Sequence, residues 1–306
     1  MKTPDVKRTF LPGEKWVYYK IYINPPASDK LLVRTIYPLK NLWMRQHTIK
    51  QWFFVRYNDP EHHLRVRFRV TRQENVSAVI PAMKKHLAPY IANKQIHNIQ
   101  IDTYRRETER YGRGTIEHCE GIFHSDSTLN LNILRNILEN NENGPDWKTG
   151  LRITLQYLDD FGLSVHERKG LLHEAYASLT SHLPNRNEII KNLGRKYRQH
   201  KYHIAQAAMG PRSDVMQSYL DQFSRDSSDD IRAIMTMGRG GKLEVDLHDL
   251  LLSLIHMSMN RLYKLNQRNN ELLVYNFLFR HFKSVAARMD INNNPDRHEP
   301  NHRSSV

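Results

Sequence analysis

The segment HLRVRFRV at residues 63–70 alternates strictly between apolar and basic side chains after its first histidine. A period of two residues predicts a β-strand that buries one face and leaves the other polar. The aromatic segment QWFFVRY at residues 51–57 precedes it, and the polar residues Asn58–His62 lie between the two. Two strands joined by a short polar segment predict a β-hairpin, so the chain is expected to contain an antiparallel or mixed sheet.

Other segments of the first 115 residues also predict a mixture of strands and helices. WVYYKIYI at residues 16–23 is aromatic and β-branched, which is typical of a strand, and Asn24-Pro25-Pro26 ends it. Ser28 is predicted to cap a helix that reaches Leu39. A further helix is predicted from about Gln73 to Tyr90, and a strand from Ile96 to Tyr104.

After about residue 115 the spacing of apolar residues becomes helical. The predicted helices are Ile116–Phe123, Leu129–Leu138, Trp147–Phe161, His166–Leu179, Asn187–Met209, Ser213–Met237, Glu244–Leu265 and Asn270–Ala287. The predicted fold class is therefore α+β, with a sheet-rich lobe at about residues 14–115 packed on a helical lobe at about residues 116–288. The polar residues 289–306 predict a disordered tail.

The composition favours a globular protein with an anionic partner. Hydrophobic residues make up 39% of the 306 residues and charged residues 25%. The 46 Lys and Arg exceed the 32 Asp and Glu, and the net charge of +14 suits nucleic acid, phosphate or an acidic peptide without choosing among them. Cys119 is the single cysteine, which excludes an intrachain disulfide. Since no apolar run resembles a signal peptide or a membrane span, the cytoplasm is the expected location.

The basic face of the second hairpin strand is the first candidate site. Arg65, Arg67 and Arg69 fall on one face about 6.6 Å apart along the strand. Three consecutive guanidiniums without an interleaved acid repel one another unless an anion or a distant carboxylate lies among them. A solvated basic surface is the alternative interpretation, and the spacing alone leaves both open.

The segment TYRRETERYGRG at residues 103–114 is the second candidate. If it forms a helical turn, Arg106, Glu107 and Arg110 share a face, and the glutamate can orient the guanidiniums or act as an acid or base. Gly112 and Gly114 allow a sharp turn or a close approach of substrate. An exposed ladder of salt bridges is the alternative, usually worth less than about 1 kcal/mol.

The third candidate lies on the penultimate predicted helix, in the segment HMSMNRL. His256 stands beside an apolar stripe, with Asn260 one turn later and Arg261 next to it. A histidine is the side chain best suited to exchange protons near neutral pH, although a purely structural histidine is the alternative here.

Several familiar motifs are absent from the sequence. It contains no Gly-x-Gly-x-x-Gly, no P-loop and no Gly-x-Ser-x-Gly. The pairs His62/His63 and His166/His173 lack further ligands at zinc-like spacing, so neither a metal nor another cofactor is expected.

Taken together, these segments resemble the thiopeptide-type bacteriocin biosynthesis proteins, a family similar to the C-terminal glutamate-elimination domain of lantibiotic dehydratases. The residues that carry the resemblance are WVYYKIY, QWFFVRYNDPEHHLRVRF, YRRETERYG, Glu120–Ser127, and HMSMNRL followed by a helix with Glu271. The resemblance covers residues 14 to 288, which it implies form a single elimination-type domain within residues 1–288. The family commonly has a second glycine after the Tyr-Gly pair, where this chain has Arg113.

The resemblance implies a lyase that expels glutamate from glutamylated Ser or Thr of a ribosomal precursor peptide, leaving dehydroalanine or dehydrobutyrine. It places Arg65, Arg67, Glu107, Arg110 and His256 at the catalytic positions, and we add Arg106, Asn260 and Arg261 as substrate-binding residues. Arg65 and Arg67 would hold the substrate carboxylate and the developing enolate. Arg110 would hold the leaving glutamate, with Glu107 orienting it, and His256 would be the proton shuttle.

The resemblance also implies partners and alternatives. The partners are the glutamylated precursor peptide and a separate tRNA-dependent glutamylating dehydratase subunit, with no membrane, and a homodimer is left open. One alternative is a thiopeptide pyridine synthase that joins two dehydroalanines in a formal [4+2] cycloaddition. The other is a module without catalysis that binds an acidic precursor peptide or tRNA.

Overall fold

The computed structural model of the chain describes residues 6–181, 183–208 and 214–292. The strands are β1 (Thr9–Phe10), β2 (Trp16–Ile23), β3 (Ile49–Tyr57), β4 (His63–Val70), β5 (Ile96–Ile101) and β6 (Tyr104–Arg105). The helices are α1 (Pro25–Leu31), α2 (Tyr37–Arg45), α3 (Val76–Ala92), α4 (Thr108–Tyr111), α5 (Ile116–Glu139), α6 (Trp147–Asp160), α7 (Val165–Thr180), α8 (Arg186–Ala208), α9 (Val215–Arg239), α10 (Leu247–Leu262) and α11 (Gln267–Asn292). A π-helical turn, Leu32–Ile36, joins α1 to α2.

The predicted α+β class and the predicted hairpin are confirmed. A four-stranded antiparallel sheet has the order β3-β4-β2-β5, and β1 pairs with β6 in a second, two-stranded sheet. In the hairpin Val55 lies opposite Arg65 and Phe53 lies opposite Arg67. Because side chains alternate between the faces of a strand, each of these cross-strand pairs shares one face of the sheet.

The two faces of the sheet have different roles. The core face carries buried side chains such as Phe54, Val66 and Phe68, which pack against α1, α2 and α3. The alternate positions of β4 carry the arginines, so their face is opposite the apolar core. Burial of one face thereby fixes the register of the hairpin and the side on which the arginines lie.

The free edge of β3 is covered by side chains from two helices. The Phe54 N–H donates to Ser127 Oγ of α5 (3.2 Å), and its carbonyl accepts from Arg261 Nε of α10 (2.8 Å). The Arg56 N–H donates to Asn260 Oδ1 (2.8 Å), and its carbonyl accepts from Asn260 Nδ2 (2.9 Å). An unpaired edge of buried backbone is costly, so these bonds hold α5 and α10 along the sheet.

The described residues form two compact units. One lies within residues 1–161 and 211–271 and contains both sheets. The other lies within residues 162–210 and 272–306. This division differs from the lobe boundary expected near residue 115, since α5, α6, α9 and α10 belong to the unit with the sheets. That residues 1–288 act as a single elimination-type domain stays a prediction.

Most predicted helices have the expected positions, but some boundaries were wrong. The segments 116–123 and 129–138 form one helix, because the polar residues 125–127 between them are buried and hydrogen-bonded. Ser28 does not cap α1, which begins at Pro25, and Ser28 Oγ donates instead to the Pro25 carbonyl (2.7 Å). The strand predicted to reach Tyr104 stops at Ile101.

Residues 289–292, predicted to be disordered, continue α11. The rest of the predicted tail lies outside the described residues, as do Met209 and Ser213, the predicted ends of two helices. None of the described helices combines the length and the apolar character that crossing a membrane requires.

Replacing Asn260 tests how much the covered edge contributes to stability. Asn260→Ala removes both bonds to the Arg56 main chain and leaves a part-buried N–H and carbonyl unpaired, so we expect the free energy of unfolding to fall by about 1–3 kcal/mol. Asn98→Ala on the exposed side of β5 is the control, with an expected change within about 0.5 kcal/mol. Urea unfolding followed by circular dichroism measures both, and equal midpoints would contradict this role of Asn260.

Candidate functional site

A pocket lies on the arginine face of the sheet, within the first compact unit. Side chains from β3, β4, β6, α4, α5 and α10 enclose a cavity of about 60 Å³, which has room for a few non-hydrogen atoms. The lining residues are Phe53, Val55, Tyr57, Arg65, Arg67, Tyr104, Arg105, Glu107, Arg110, Tyr111, Ile116, Phe123, Met257 and Arg261. Five of the eight residues singled out in the sequence therefore meet here: Arg65, Arg67, Glu107, Arg110 and Arg261.

Arg67 lies in an aromatic cage. Its guanidinium carbon is 4.2 Å from the ring centre of Tyr18, 4.8 Å from that of Tyr104 and 5.1 Å from that of Phe53. The side chain is buried, its Nε has no hydrogen-bond partner, and no carboxylate of the described residues forms an ion pair with it. Cation–π contacts stabilise the charge of the guanidinium but leave its N–H groups available as hydrogen-bond donors.

Arg65 is held by its neighbours on the same sheet face. Its guanidinium carbon lies 3.4 Å from the ring centre of Tyr57, and its Nε donates to His63 Nε2 (3.1 Å). Burial and the Arg65 charge lower the pKa of His63, so the ring is neutral near pH 7. Its Nδ1–H then donates to the Glu61 carbonyl (2.8 Å), which leaves Nε2 as the acceptor for Arg65.

Arg69, the third arginine of the row, lies outside the pocket. Its guanidinium donates to Gln51 Oε1 (3.4 Å) and is 3.9 Å from the carboxylate of Glu117. The alternation of the strand therefore placed the three arginines on one face as predicted, but only Arg65 and Arg67 line the cavity.

Arg261 enters the pocket from α10 and is fixed by its own bonds. Its Nε donates to the Phe54 carbonyl, and its Nη1 donates to Asp126 Oδ2 (2.8 Å). Asp126 is fully buried and also accepts from Ser258 Oγ. Nη2 of Arg261 is buried without a partner. Two of the three guanidinium nitrogens are thus bound to protein groups, and they hold the third, Nη2, in a fixed position.

Arg110 belongs to the single-turn helix α4, Glu107 is its N-cap residue, and both are more exposed. Their closest charged atoms are 3.8 Å apart, with 62% of the Glu107 side chain and 36% of the Arg110 side chain exposed. Arg110 Nε donates to Ser253 Oγ of α10 (3.1 Å). An exposed pair at this distance contributes little to stability, so both side chains are free to meet a ligand.

Gly112 ends α4 and lets the chain turn into α5. Its φ of +75° lies in the left-handed region that favours glycine. A Cβ at this position would lie 2.7 Å from Thr115 Oγ1. The Tyr-Gly pair of the sequence motif is therefore explained by this turn, which sets Arg110 beside α10.

Arg106 does not line the pocket. It is buried, and its guanidinium donates to both oxygens of Glu120 (2.8 and 2.7 Å), to Glu117 (2.9 Å) and to the Lys7 carbonyl (3.0 Å). Glu120 also accepts from the hydroxyl of Tyr104 (2.7 Å), which is a wall of the pocket. Burial and the Glu120 carboxylate raise the pKa of Tyr104 well above its ordinary value, so the hydroxyl stays protonated as the donor.

Asn260 and His256 also lie outside the lining residues. The Asn260 amide is bound to the β3 edge and to Gln267 (3.1 Å). His256 precedes Met257, which does line the pocket, and its Nδ1 lies 2.9 Å from Oε1 of the buried Glu271. The histidine side chain is 45% exposed, and the carboxylate beside Nδ1 favours the tautomer in which this nitrogen carries the proton. Direct substrate binding by Arg106 and Asn260 stays a prediction.

Tyr18, Tyr104 and Asp126 contact the pocket arginines, and the sequence pattern did not single them out. Tyr18 lies opposite Arg67 in the β2–β4 register, on the same face as the arginines. The alternation of WVYYKIYI contains this signal, but only the register reveals the cage. Among the described residues no group of three or more His, Cys, Asp or Glu side chains has the geometry of a metal site.

The two carboxylates that bind Arg106 provide a matched test of its structural role. Glu120 is buried, whereas 54% of the Glu117 side chain is exposed. Glu120→Gln removes the buried carboxylate and leaves Arg106 paired only with the half-exposed Glu117, so we expect the free energy of unfolding to fall by about 3–5 kcal/mol. Glu117→Gln should lower the free energy of unfolding by less than about 1 kcal/mol. Thermal and urea unfolding measure both, and equal losses would show that the buried pair has no special part in the fold.

The sequence is similar to those of two known biosynthesis proteins. The chain is 25% identical to the nisin biosynthesis protein NisB of Lactococcus lactis subsp. lactis over 281 residues, 91% of this chain and 26% of NisB. It is 26% identical to the subtilin biosynthesis protein SpaB of Bacillus subtilis over 167 residues, 53% of this chain and 16% of SpaB. The chain thus spans about a quarter of the length of NisB.

Two solved structures share the fold. The tRNA dependent lantibiotic dehydratase MibB from Microbispora sp. 107891 has a TM-score of 0.65 and 21% identity, covering 92% of this chain and 29% of MibB. The pyridine synthase TbtD from thiomuracin biosynthesis has a TM-score of 0.68 and 13% identity, covering 90% of this chain and all of TbtD. The family described as "Lantibiotic biosynthesis dehydratase C-term" matches residues 16–282. The chain therefore belongs to the C-terminal family of lantibiotic biosynthesis dehydratases.

Proposed function

We propose that the chain is a peptide-modifying lyase that eliminates glutamate from glutamylated Ser or Thr of a ribosomal precursor peptide. The products are dehydroalanine or dehydrobutyrine in a lanthipeptide or thiopeptide. The observation that carries the proposal is the pair of unpartnered, buried donors, Arg67 Nε and Arg261 Nη2, on two residues that line one pocket. Membership of the dehydratase family supports it.

The reaction needs stabilisation of negative charge at two places. A base removes the α-proton of the esterified residue, and the electron pair delocalises onto the adjacent amide oxygen as an enolate. The pair then forms the Cα–Cβ double bond, the Cβ–O bond breaks, and glutamate leaves as its carboxylate. Fixed donors around a developing oxyanion lower the barrier because they need no reorganisation, and one donor is typically worth about 10²–10³ in rate.

The residues divide by position within this proposal. Arg65 and Arg67, on the sheet face, hold the substrate carboxylate and the developing enolate, and the fixed Arg261 adds a donor beside them. Arg110, at the more exposed side, grips the leaving glutamate, and Glu107 orients it.

His256 is proposed as the proton shuttle, with its Nδ1 held by Glu271. Arg106 is proposed to contribute by holding Glu120, which binds the Tyr104 hydroxyl in the pocket wall. Asn260 is proposed to contribute by binding the main chain at the edge of β3. All the groups of the proposed mechanism are side chains, and no cofactor is part of it.

The proposed partners are a glutamylated precursor peptide and a separate tRNA-dependent glutamylating subunit, both met in the cytoplasm. MibB is a tRNA dependent lantibiotic dehydratase, and the chain matches 29% of its length. We propose that the glutamylating step is performed by another protein and that this chain receives the ester.

A second candidate function, pyridine synthesis by cycloaddition, is supported by the match over the full length of TbtD. The chain matches the full length of that pyridine synthase with a TM-score of 0.68. A cycloaddition between two dehydroalanines expels no glutamate. It therefore does not require Glu107, Arg110 and the buried arginines to bind a carboxylate. The pocket thus favours elimination, and a peptide with two dehydroalanines serves as the discriminating substrate.

The proposed function is tested with a peptide glutamylated in advance and followed by mass spectrometry. We expect each modified Ser or Thr to lose one glutamic acid, because the pocket stabilises the enolate and the departing carboxylate. Persistence of the glutamyl ester in the presence of folded protein contradicts elimination. Conversion of the dehydroalanine peptide to a pyridine product would assign the second candidate instead.

The same assay measures the contribution of the caged guanidinium. Arg67→Lys keeps the charge but removes the planar fork and its free Nε–H, so we expect the rate of elimination to fall about 10²–10³-fold with the fold intact. Arg69→Lys is the matched control, because Arg69 is the next arginine of the same strand face and lies outside the pocket. Equal rates in the two variants would mean that the cluster is only a basic surface.

A further inference from the structure

The exposed side of α8 carries a basic stripe that plays no part in the pocket. Lys191, Arg195, Arg198 and Tyr202 follow one another at intervals of four, three and four residues, so they lie above one another on a single face of the helix. All four are exposed. The buried residues of α8 on the opposite face are Leu193, Tyr197 and Ile204.

Positive charge is concentrated in this part of the chain. Helix α8 contains six Lys and Arg and one acid, Glu188. In the described residues of the second unit, eleven Lys and Arg stand against four Asp and Glu. The first unit is nearly balanced, with 31 against 25 over about three times as many described residues. The net charge of the protein is therefore unevenly distributed, as in proteins that meet a polyanion.

The cations of the stripe are not used inside the described structure. Neither Lys191, Arg195 nor Arg198 forms an ion pair with any carboxylate of the described residues. Arg195 makes one side-chain bond, from Nη2 to Asn192 Oδ1 (3.0 Å). Because these charges offset no acid of the fold, they are available to an external anion.

An aromatic ring completes the stripe. Tyr202 is 69% exposed, the highest value among the exposed large hydrophobic side chains of the described residues. Its hydroxyl accepts from Gln206 Nε2 (2.6 Å), and the His203 ring packs edge-on against it at 5.9 Å. These contacts hold the ring while leaving most of its surface open. A solvated amphipathic helix would account for the cations but gives no reason for the tyrosine.

We propose that the stripe of Lys191, Arg195, Arg198 and Tyr202 is a binding surface for RNA. The rise of the helix sets the three cations about 4.5–6 Å apart along its axis, a spacing suited to successive phosphates of one strand. Guanidinium forks bind phosphate oxygens in pairs, and an exposed base stacks on Tyr202. An acidic peptide satisfies the cations equally well but offers no flat partner for the ring, and for this reason RNA is the occupant that fits all four residues.

The test is a fluorescence anisotropy titration of the full chain with labelled transfer RNA at several salt concentrations. We expect affinity to fall as salt rises, because phosphate contacts release counterions. The double variant Arg195→Glu/Arg198→Glu should bind at least about tenfold more weakly and show a shallower salt dependence. Tyr202→Ala should also weaken binding about tenfold through lost stacking, with less effect on the salt dependence.

The control is Lys84→Glu/Lys85→Glu on the exposed side of α3, which changes the net charge by the same amount in the first unit. It should bind RNA within about twofold of the wild type. Equal loss in the two double variants would overturn the proposal, since binding would then follow net charge alone. Binding of a glutamate-rich peptide in preference to transfer RNA would overturn it too.

Elimination from a peptide glutamylated in advance separates this proposal from the proposed function. The Arg195/Arg198 variant should keep that activity, because the surface and the pocket share no residue. If this variant loses both elimination and RNA binding, the stripe takes part in the elimination reaction, and its assignment as a separate RNA surface is overturned. Circular dichroism checks that each variant is folded.

Discussion

The buried ion pair between Arg261 and Asp126 joins the parts of the protein on which the pocket depends. Arg261 comes from α10, Asp126 from α5, and the same guanidinium binds the carbonyl of Phe54 at the β3 edge. Burial raises the pKa of Asp126, and the adjacent Arg261 opposes that change. A charge in the interior is tolerated only when it is paired and hydrogen-bonded, so each member requires the other. Two helices and a strand are thereby fixed around one guanidinium.

This constraint explains why the pocket has unused donors. Arg261 uses Nε and Nη1 in its bonds to protein groups. The rings around Arg67 contact the face of its guanidinium and offer no conventional hydrogen-bond acceptor to its Nε–H. The buried Nε of Arg67 and Nη2 of Arg261 are left over in surroundings of low dielectric. Unpaired buried donors cost stability, and an anion that binds both recovers that cost. We propose that these two donors bind the negative charge of a substrate.

The local pattern of the sequence was enough to predict the hairpin, the arginine face and the α4 turn. Alternation determines which side chains share a face, and this depends on neighbours within a few residues. Alternation placed Arg65 and Arg67 on one face of a strand, and only the family resemblance grouped them with Glu107 and Arg110. All four residues line the pocket.

Long-range contacts could not be predicted in the same way. The bonds of Phe54 to Ser127 and Arg261 join residues 73 and 207 positions apart. The polar run at residues 125–127 suggested a break between helices, because only the tertiary structure supplies its partners. For the same reason Arg106 was grouped with the other arginines, although Glu120 and Glu117 occupy its donors.

We propose that Arg67 and Arg261 together bind an anion in the pocket. A crystal structure of the protein with glutamate bound would test this proposal. We expect a carboxylate within hydrogen-bond distance of both Arg67 Nε and Arg261 Nη2, with the Arg261–Asp126 ion pair unchanged. Glutamate bound elsewhere, with either donor occupied by a carboxylate of the protein itself, would contradict it.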